Sequence, residues 1–88
     1  MFRLWAKKFK DSHIICDMVV NNSDSSMTRT KKIFAALDEI CYAFDLSKPI
    51  WLNSTIEDFK KHKKTRFTQD NFIDSIDFDF LEIHIIEE

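Results

Sequence analysis

Histidine and cysteine side chains are the first candidates for chemistry in this sequence. His13, His62 and His84 share no spacing, and only His13 and Cys16 lie close enough along the chain to suggest a pair of metal ligands. Residues three apart in a strand point to opposite faces, so this pair is not arranged to hold one ion. A structural zinc site also needs four ligands supplied in local pairs. The sequence therefore predicts no metal site.

Paired carboxylates are the second candidates. Asp77 and Asp79 lie two residues apart at the start of a strand-like stretch, which places them on one face. General acid catalysis would need one of the pair to be desolvated, with a raised pKa, and nothing in the neighbouring sequence marks a pocket. Serine, cysteine and histidine are present, but no local signature joins them into a nucleophilic site. We therefore predict no catalytic residues.

The absence of glycine excludes several classes of enzyme. The chain contains no glycine in 88 residues. Glycine lets a backbone reach positive φ or approach a phosphate closely, so the Walker loop, the dinucleotide-binding fingerprint and the G-x-S-x-G nucleophile elbow are all ruled out. We expect a protein that is not an enzyme and that has no cofactor.

A basic run near residue 60 is the sharpest positive feature of the sequence. Five cationic residues fall within seven positions, and an aromatic residue follows them: Lys60, Lys61, Lys63, Lys64, Arg66 and Phe67. Such a run could grip phosphates while the ring stacks on a base, so a nucleic-acid-binding or regulatory role is the alternative function. Dedicated nucleic-acid domains are usually basic, however, whereas this chain has a formal net charge of −2. A solvated helix end with cations near its C-terminus also explains the run.

Charge is segregated along the chain. Residues 1–66 hold 13 basic and 8 acidic groups, whereas residues 67–88 hold 7 acidic groups and no Lys or Arg. Packing of these oppositely charged segments against each other accounts for the pattern, with a separate interaction surface as the alternative. The N-terminus has no apolar signal region, no stretch is long enough to span a bilayer, and the two cysteines form no framework. These features predict a cytoplasmic protein with no membrane partner.

Periodicity predicts strands at both ends of the chain and helices between them. Residues 2–9 and 13–20 alternate as strands around a polar turn, and residues 77–87 have strong β character. Apolar residues at three- and four-residue spacing predict a helix that is capped by Ser26 or Thr28 and runs to about Phe44. A second, short helix is expected from a capping box at Ser54–Glu57 to about Lys63.

These elements predict one α+β domain over residues 1–88. The order β-β-α-α-β is most simply a three-stranded, mostly antiparallel sheet with one main helix packed on it, the last strand lying beside the first. The predicted core consists of Leu4, Ile14, Cys16, Ile33, Leu37, Ile40, Phe44 and Ile83.

The second face of the predicted sheet carries apolar residues that one helix does not cover. Trp5 and Phe9 lie on the side of the first strand opposite Leu4, and Ile15 and Val19 stand beside them on the second strand. Either the segment 49–72 wraps over this face or the face stays open, and an open apolar patch marks an interface. We therefore predict a non-enzymatic protein-interaction module that binds a protein partner or a second copy, the homodimer burying these aromatic rings at its centre.

Several segments resemble those of small hypothetical proteins from Gram-positive anaerobic bacteria. The segments are residues 3–7, 28–31, 33–37, 44–52 and 64–70, so the resemblance spans essentially the whole chain. Proteins of this group have no established activity. The resemblance implies a bacterial cytosolic origin and supplies no site residues.

Overall fold

Two helices pack on one face of a four-stranded antiparallel sheet in the computed structural model, which describes all 88 residues. The elements are β1 (Phe2–Lys10), β2 (His13–Asn22), α1 (Arg29–Ala43), α2 (Asn53–His62), β3 (Lys64–Phe67), a short 3-10 turn (Gln69–Asn71) and β4 (Phe80–Glu87). The strand order is β2-β1-β4-β3. The predicted α+β class and the pairing of the last strand with the first are confirmed, whereas the sheet has four strands instead of three.

The N-terminal hairpin forms where alternation predicts it. Asp11 and Ser12 form a two-residue turn in which both residues have positive φ, 53° and 66°. Such turns follow the right-handed twist of the strands they join. The register of β1 and β2 shifts once, between Lys8 and Phe9, which leaves Ile15 as an extra residue in β2.

Helix α1 begins and packs as its apolar spacing predicts. Thr28 is the N-cap, and its side chain accepts a hydrogen bond of 3.2 Å from the backbone N–H of Lys31. Five buried residues form the stripe that faces β1 and β2: Ile33, Ala36, Leu37, Ile40 and Cys41. Burial of this stripe against the sheet stabilises the helix more than its intrinsic propensity does.

The C-terminal half differs most from the prediction. The expected capping box at Ser54 is wrong, because the chain is already helical at Asn53, and Leu52 is the N-cap without a side-chain bond. Lys63 ends α2 in the left-handed conformation, with φ 57° and ψ 23°. The chain then reverses into β3, which pairs with β4 and buries Thr65 and Phe67. The sequence pattern does not indicate this strand, because it overlaps the basic run and only two of the four strand residues face the core.

The core is one cluster of 16 buried apolar residues between the sheet and the helices. Five of the eight predicted members are buried: Leu4, Ile33, Leu37, Ile40 and Ile83. The prediction that Ile14 belongs to the core is wrong. The register shift places Ile14 opposite Phe9 at the turn end of the hairpin, where it is 48% exposed. Cys16, on the edge strand, and Phe44, at the end of α1, are only partly buried.

Neither helix combines the length and the apolar content that crossing a bilayer requires.

Candidate interaction surface

One face of the sheet is covered by no other element of the chain. We call it the open face; it contains Trp5, Lys7 and Phe9 of β1 and the residues that pair with them in the neighbouring strands. The segment 49–72 packs on the opposite side, where the Trp51 ring lies 5.1 Å from the ring of Phe67. The alternative in which this segment wraps over the open face is therefore wrong. Both helices and their connection lie on the core side.

The predicted partner-binding residues come together on the β1–β2 half of this sheet. Trp5 lies directly opposite Val19, and Phe9 lies opposite Ile14, with Ile15 as the extra residue next to that pair. Trp5 and Phe9 are partly buried, whereas the β2 side chains remain open, Ile15 at 51% and Val19 at 43% exposure. The exposed apolar surface is therefore concentrated on β2. The aromatic residues of β1 contribute less exposed surface than the sequence analysis predicted.

Polar neighbours already hold the Trp5 side chain. Its Nε1 donates a 2.8 Å hydrogen bond to Oδ2 of Asp17, and Nζ of Lys7 lies 4.0 Å from the ring centroid. A cation over the face of an indole ring is attracted by the ring quadrupole. The ring therefore forms part of a preformed surface and is not a free hydrophobic side chain.

Glu82 is the centre of an ion network on the open face. It is only 4% exposed, although no helix covers it. Nζ of Lys7 lies 2.7 Å from Oε2, and Nε of Arg66 donates to Oε1 at 3.1 Å. Burial by itself would raise the pKa of this carboxyl, but the hydrogen bonds and charges of Lys7 and Arg66 outweigh burial and lower the pKa. The network joins β1, β4 and β3 across the sheet.

Two stacked aromatic rings extend this network toward the turn. The ring centroids of Phe9 and Phe80 lie 4.8 Å apart, and the guanidinium of Arg66 lies 4.4 Å from the Phe80 ring. Lys7 and Arg66 thus contact aromatic rings as well as Glu82. The open face is a band of alternating aromatic and charged groups that are held by their own contacts.

The neighbouring imidazole is held in its neutral form. His84 lies between Trp5 and Lys64 in the sheet register. Burial, together with the positive charges of Lys64 and Lys7, lowers the pKa of this histidine. The imidazole therefore adds no positive charge to the open face at neutral pH.

The predicted nucleic-acid-binding residues are divided between two elements, and of the six only Lys60, Lys61 and Arg66 line the cleft between α2, β3 and the 3-10 turn. Lys60 and Lys61 lie on α2, whereas Lys64 and Arg66 lie on the open face of β3, beyond the chain reversal. Arg66 is bound to Glu82, and Nζ of Lys63 lies 2.7 Å from Glu88.

Phe67, the residue expected to stack on a base, is fully buried. Its side chain faces the core, where it packs against Trp51. Base stacking by Phe67 is therefore wrong for this conformation. The physical reason is strand alternation, which turns Phe67 inward beside the outward-facing Arg66.

Polar groups also line a cleft between α2, β3 and the 3-10 turn. Oγ1 of the buried Thr65 donates to Asp58 at 3.2 Å, and Nε2 of His62 lies 3.9 Å from the same carboxylate. A nucleophilic hydroxyl must be reached by its substrate, whereas Thr65 is only 2% exposed. The contacts tie the helix to the strand. No group of three or more histidine, cysteine or acidic side chains converges as metal ligands do.

The acidic C-terminal strand pairs with basic groups of the preceding chain. Besides Glu82, Glu87 lies 3.4 Å from Nε of Arg3, and Glu88 contacts both Arg29 and Lys63. Packing between the two oppositely charged segments thus accounts for three of the seven acidic groups, whereas Asp70, Asp74, Asp77 and Asp79 form no ion pair. The three paired groups are not available as a separate acidic surface.

Sequence reasoning missed Glu82 and the free edge of β2. Glu82 lies between Leu81 and Ile83, two fully buried residues. A carboxylate between two large apolar residues of β4 was the signal that could have identified it, because such a charge needs a partner. Comparison of the chain with protein families, with curated proteins and with solved structures finds no match.

Proposed function

We propose that this protein is a non-enzymatic interaction module that binds a second copy of itself through the β1–β2 side of the open face. The observation that carries the proposal is the exposed apolar surface of β2, where Ile14, Ile15 and Val19 are each more than two-fifths exposed on the side of the strand away from α1. Contiguous exposed apolar patches on small proteins mark interaction sites.

The charges around this surface support a protein partner. Lys7 and Arg66 are balanced by Glu82, and Asp17 lies opposite Lys7 in the register. A surface of balanced charge suits another balanced protein surface better than it suits a polyanion. The two free cysteines agree with a cytoplasmic location, which is part of the proposal.

The size of the surface sets the strength of the dimer. β1 and β2, each about 30 Å long and about 4.8 Å apart, present roughly 300 Å² on one side. Two such surfaces bury on the order of 600 Å², less than most specific interfaces bury. We therefore expect a weak, concentration-dependent dimer.

Val19→Glu should convert the dimer into a folded monomer. The charge is solvated in the free chain, because Val19 is 43% exposed, and it is desolvated only when a partner covers β2. Sedimentation equilibrium should show the loss of the dimer, with an unchanged circular dichroism spectrum. The control is Ile73→Glu, at a position that is 85% exposed and distant from β2 in the chain. A wild type that stays monomeric at high micromolar concentration would rule out self-association.

The alternative function, nucleic-acid binding, leads to a separate prediction. Lys60, Lys61 and Lys64 form no ion pairs within the chain and are the cations of the basic run that are free to contact phosphates. Three contacts would give a log–log salt slope of only about −2 to −3. We expect no retardation of single- or double-stranded probes at low salt. Retardation that disappears in a protein with all three lysines replaced by Gln would favour the alternative.

A further inference from the structure

We propose that the second copy docks through the edge of β2, by antiparallel pairing centred on Val19, so that two sheets join into one of eight strands. This inference rests on the self-association in the proposed function, and it replaces contact between two whole faces by contact along one seam, where the open faces of the two copies lie side by side. It adds a backbone contribution that an aromatic patch alone does not supply.

The outer edge of β2 is the longer of the two outer strand edges of the sheet. β2 pairs only with β1, and none of the turn, loop or side-chain hydrogen bonds elsewhere in the chain involves its backbone. Beyond the register shift, the six residues Asp17–Asn22 pair regularly with β1. An edge of this kind is a template for another strand.

The opposite edge of the sheet is protected, whereas β2 is not. β3 has four residues, two of which are the cations Lys64 and Arg66, and α2 packs beside it. Short strands and edge cations are common protections against pairing. The Asp17–Asn22 stretch has no Lys, Arg or Pro, and its one charge, Asp17, is already bound by Trp5.

Centring the pairing on Val19 matches side chains on both faces of the joined sheet. Val19 meets Val19 of the second copy on the open face, flanked on each side by Trp5. On the core face, Met18 meets Val20, and both already pack in the hydrophobic core. Pairing of odd positions with odd positions also keeps the helices of both copies on the same side of the sheet.

Charges select this register over its neighbours. Asp17 falls opposite Asn21 of the second copy, whose amide can donate to the carboxylate, and Arg3 lies next to Asn21 in β1. Centring on Asp17 instead would place two carboxylates opposite each other, and centring on Met18 would place Val19 against Asp17. Like charges opposite each other are destabilising in an antiparallel pair.

A cysteine at position 19 tests the register directly. Cα atoms directly opposite each other in an antiparallel pair lie about 4.5 to 5.5 Å apart, within the range that a disulfide spans. Cys16 is replaced by Ala in all variants. Cys41 can remain, because burial raises the pKa of its thiol to about 11 and leaves it unreactive.

Val19→Cys should cross-link in oxidised glutathione at least about tenfold faster than Ile73→Cys, because only paired strands hold the two thiols in disulfide geometry. Ile73 is 85% exposed and reports the rate of random collision. As a second measurement, β2 amides of the wild type should exchange hydrogen more slowly at concentrations where the dimer is populated. If the wild type sediments as a dimer but Val19→Cys and Ile73→Cys cross-link at equal rates, edge pairing would be overturned and the proposed function would stay intact. A monomeric wild type would overturn both.

Discussion

Leu37→Ala should lower the free energy of unfolding by about 2 to 5 kcal/mol, the range for truncation of a buried leucine. Leu37 is 4% exposed and lies in the middle of the α1 stripe that packs on the sheet. The loss combines the transfer free energy of the removed atoms with the cavity they leave. Urea denaturation followed by circular dichroism measures the difference.

Ile73→Ala is the matched control for this experiment. Ile73 is also a large aliphatic residue, but it is 85% exposed, so its truncation should change the stability by less than about 0.5 kcal/mol. If Leu37→Ala is as mild as the control, then α1 does not pack on the sheet through this stripe.

Glu82→Gln should destabilise the protein by about 3 kcal/mol at neutral pH, the lower end of the range for breaking a buried ion pair. The substitution keeps the shape of the side chain and removes its charge. Lys7, whose side chain is only 12% exposed, is then left without a counter-ion, whereas Arg66 at 59% can turn to water. Glu57→Gln on α2 is the control, because Glu57 is exposed and forms no ion pair. Urea denaturation at neutral pH measures both changes.

The effect of Glu82→Gln should also depend on pH. The pKa of Glu82 is lower in the folded chain than the ordinary value of 4.5. The charged form therefore stabilises the fold fully above about pH 4.5, and this stabilisation is lost as the pH falls through the folded-state pKa. The difference between the wild type and Glu82→Gln should shrink between pH 7 and pH 3. A difference that stays constant over this range would mean that the network does not hold Glu82 in its charged form.

The helix and the N-terminal hairpin could be predicted because their signals are local. Thr28 and the apolar spacing from Ile33 to Cys41 specify where α1 begins and which side it buries. The alternation from Phe2 to Phe9 specifies strand β1 and its two faces. Each of these patterns lies within one element, so no knowledge of distant residues was needed.

Strand β3 could not be predicted from local signals. Its four residues include only Thr65 and Phe67 as inward-facing positions, and the cations around them are typical of a helix end. The strand exists because Lys63 reverses the chain and β4 offers an unpaired edge. A four-residue segment gains too little free energy from its own contacts to specify this pairing, so β3 forms only because β4 is there to pair with it.

The composition and the residue order by themselves determined the α+β class, the position of α1, the hairpin and the exclusion of glycine-dependent nucleotide sites. The tertiary structure alone decided which sheet face is open, how the basic run is divided, and that Glu82 is buried between Lys7 and Arg66. The physical reason is range. Periodicity and capping act over a few residues, whereas ion pairing and edge exposure depend on which strands become neighbours, and β1 and β4 meet across almost the full length of the chain.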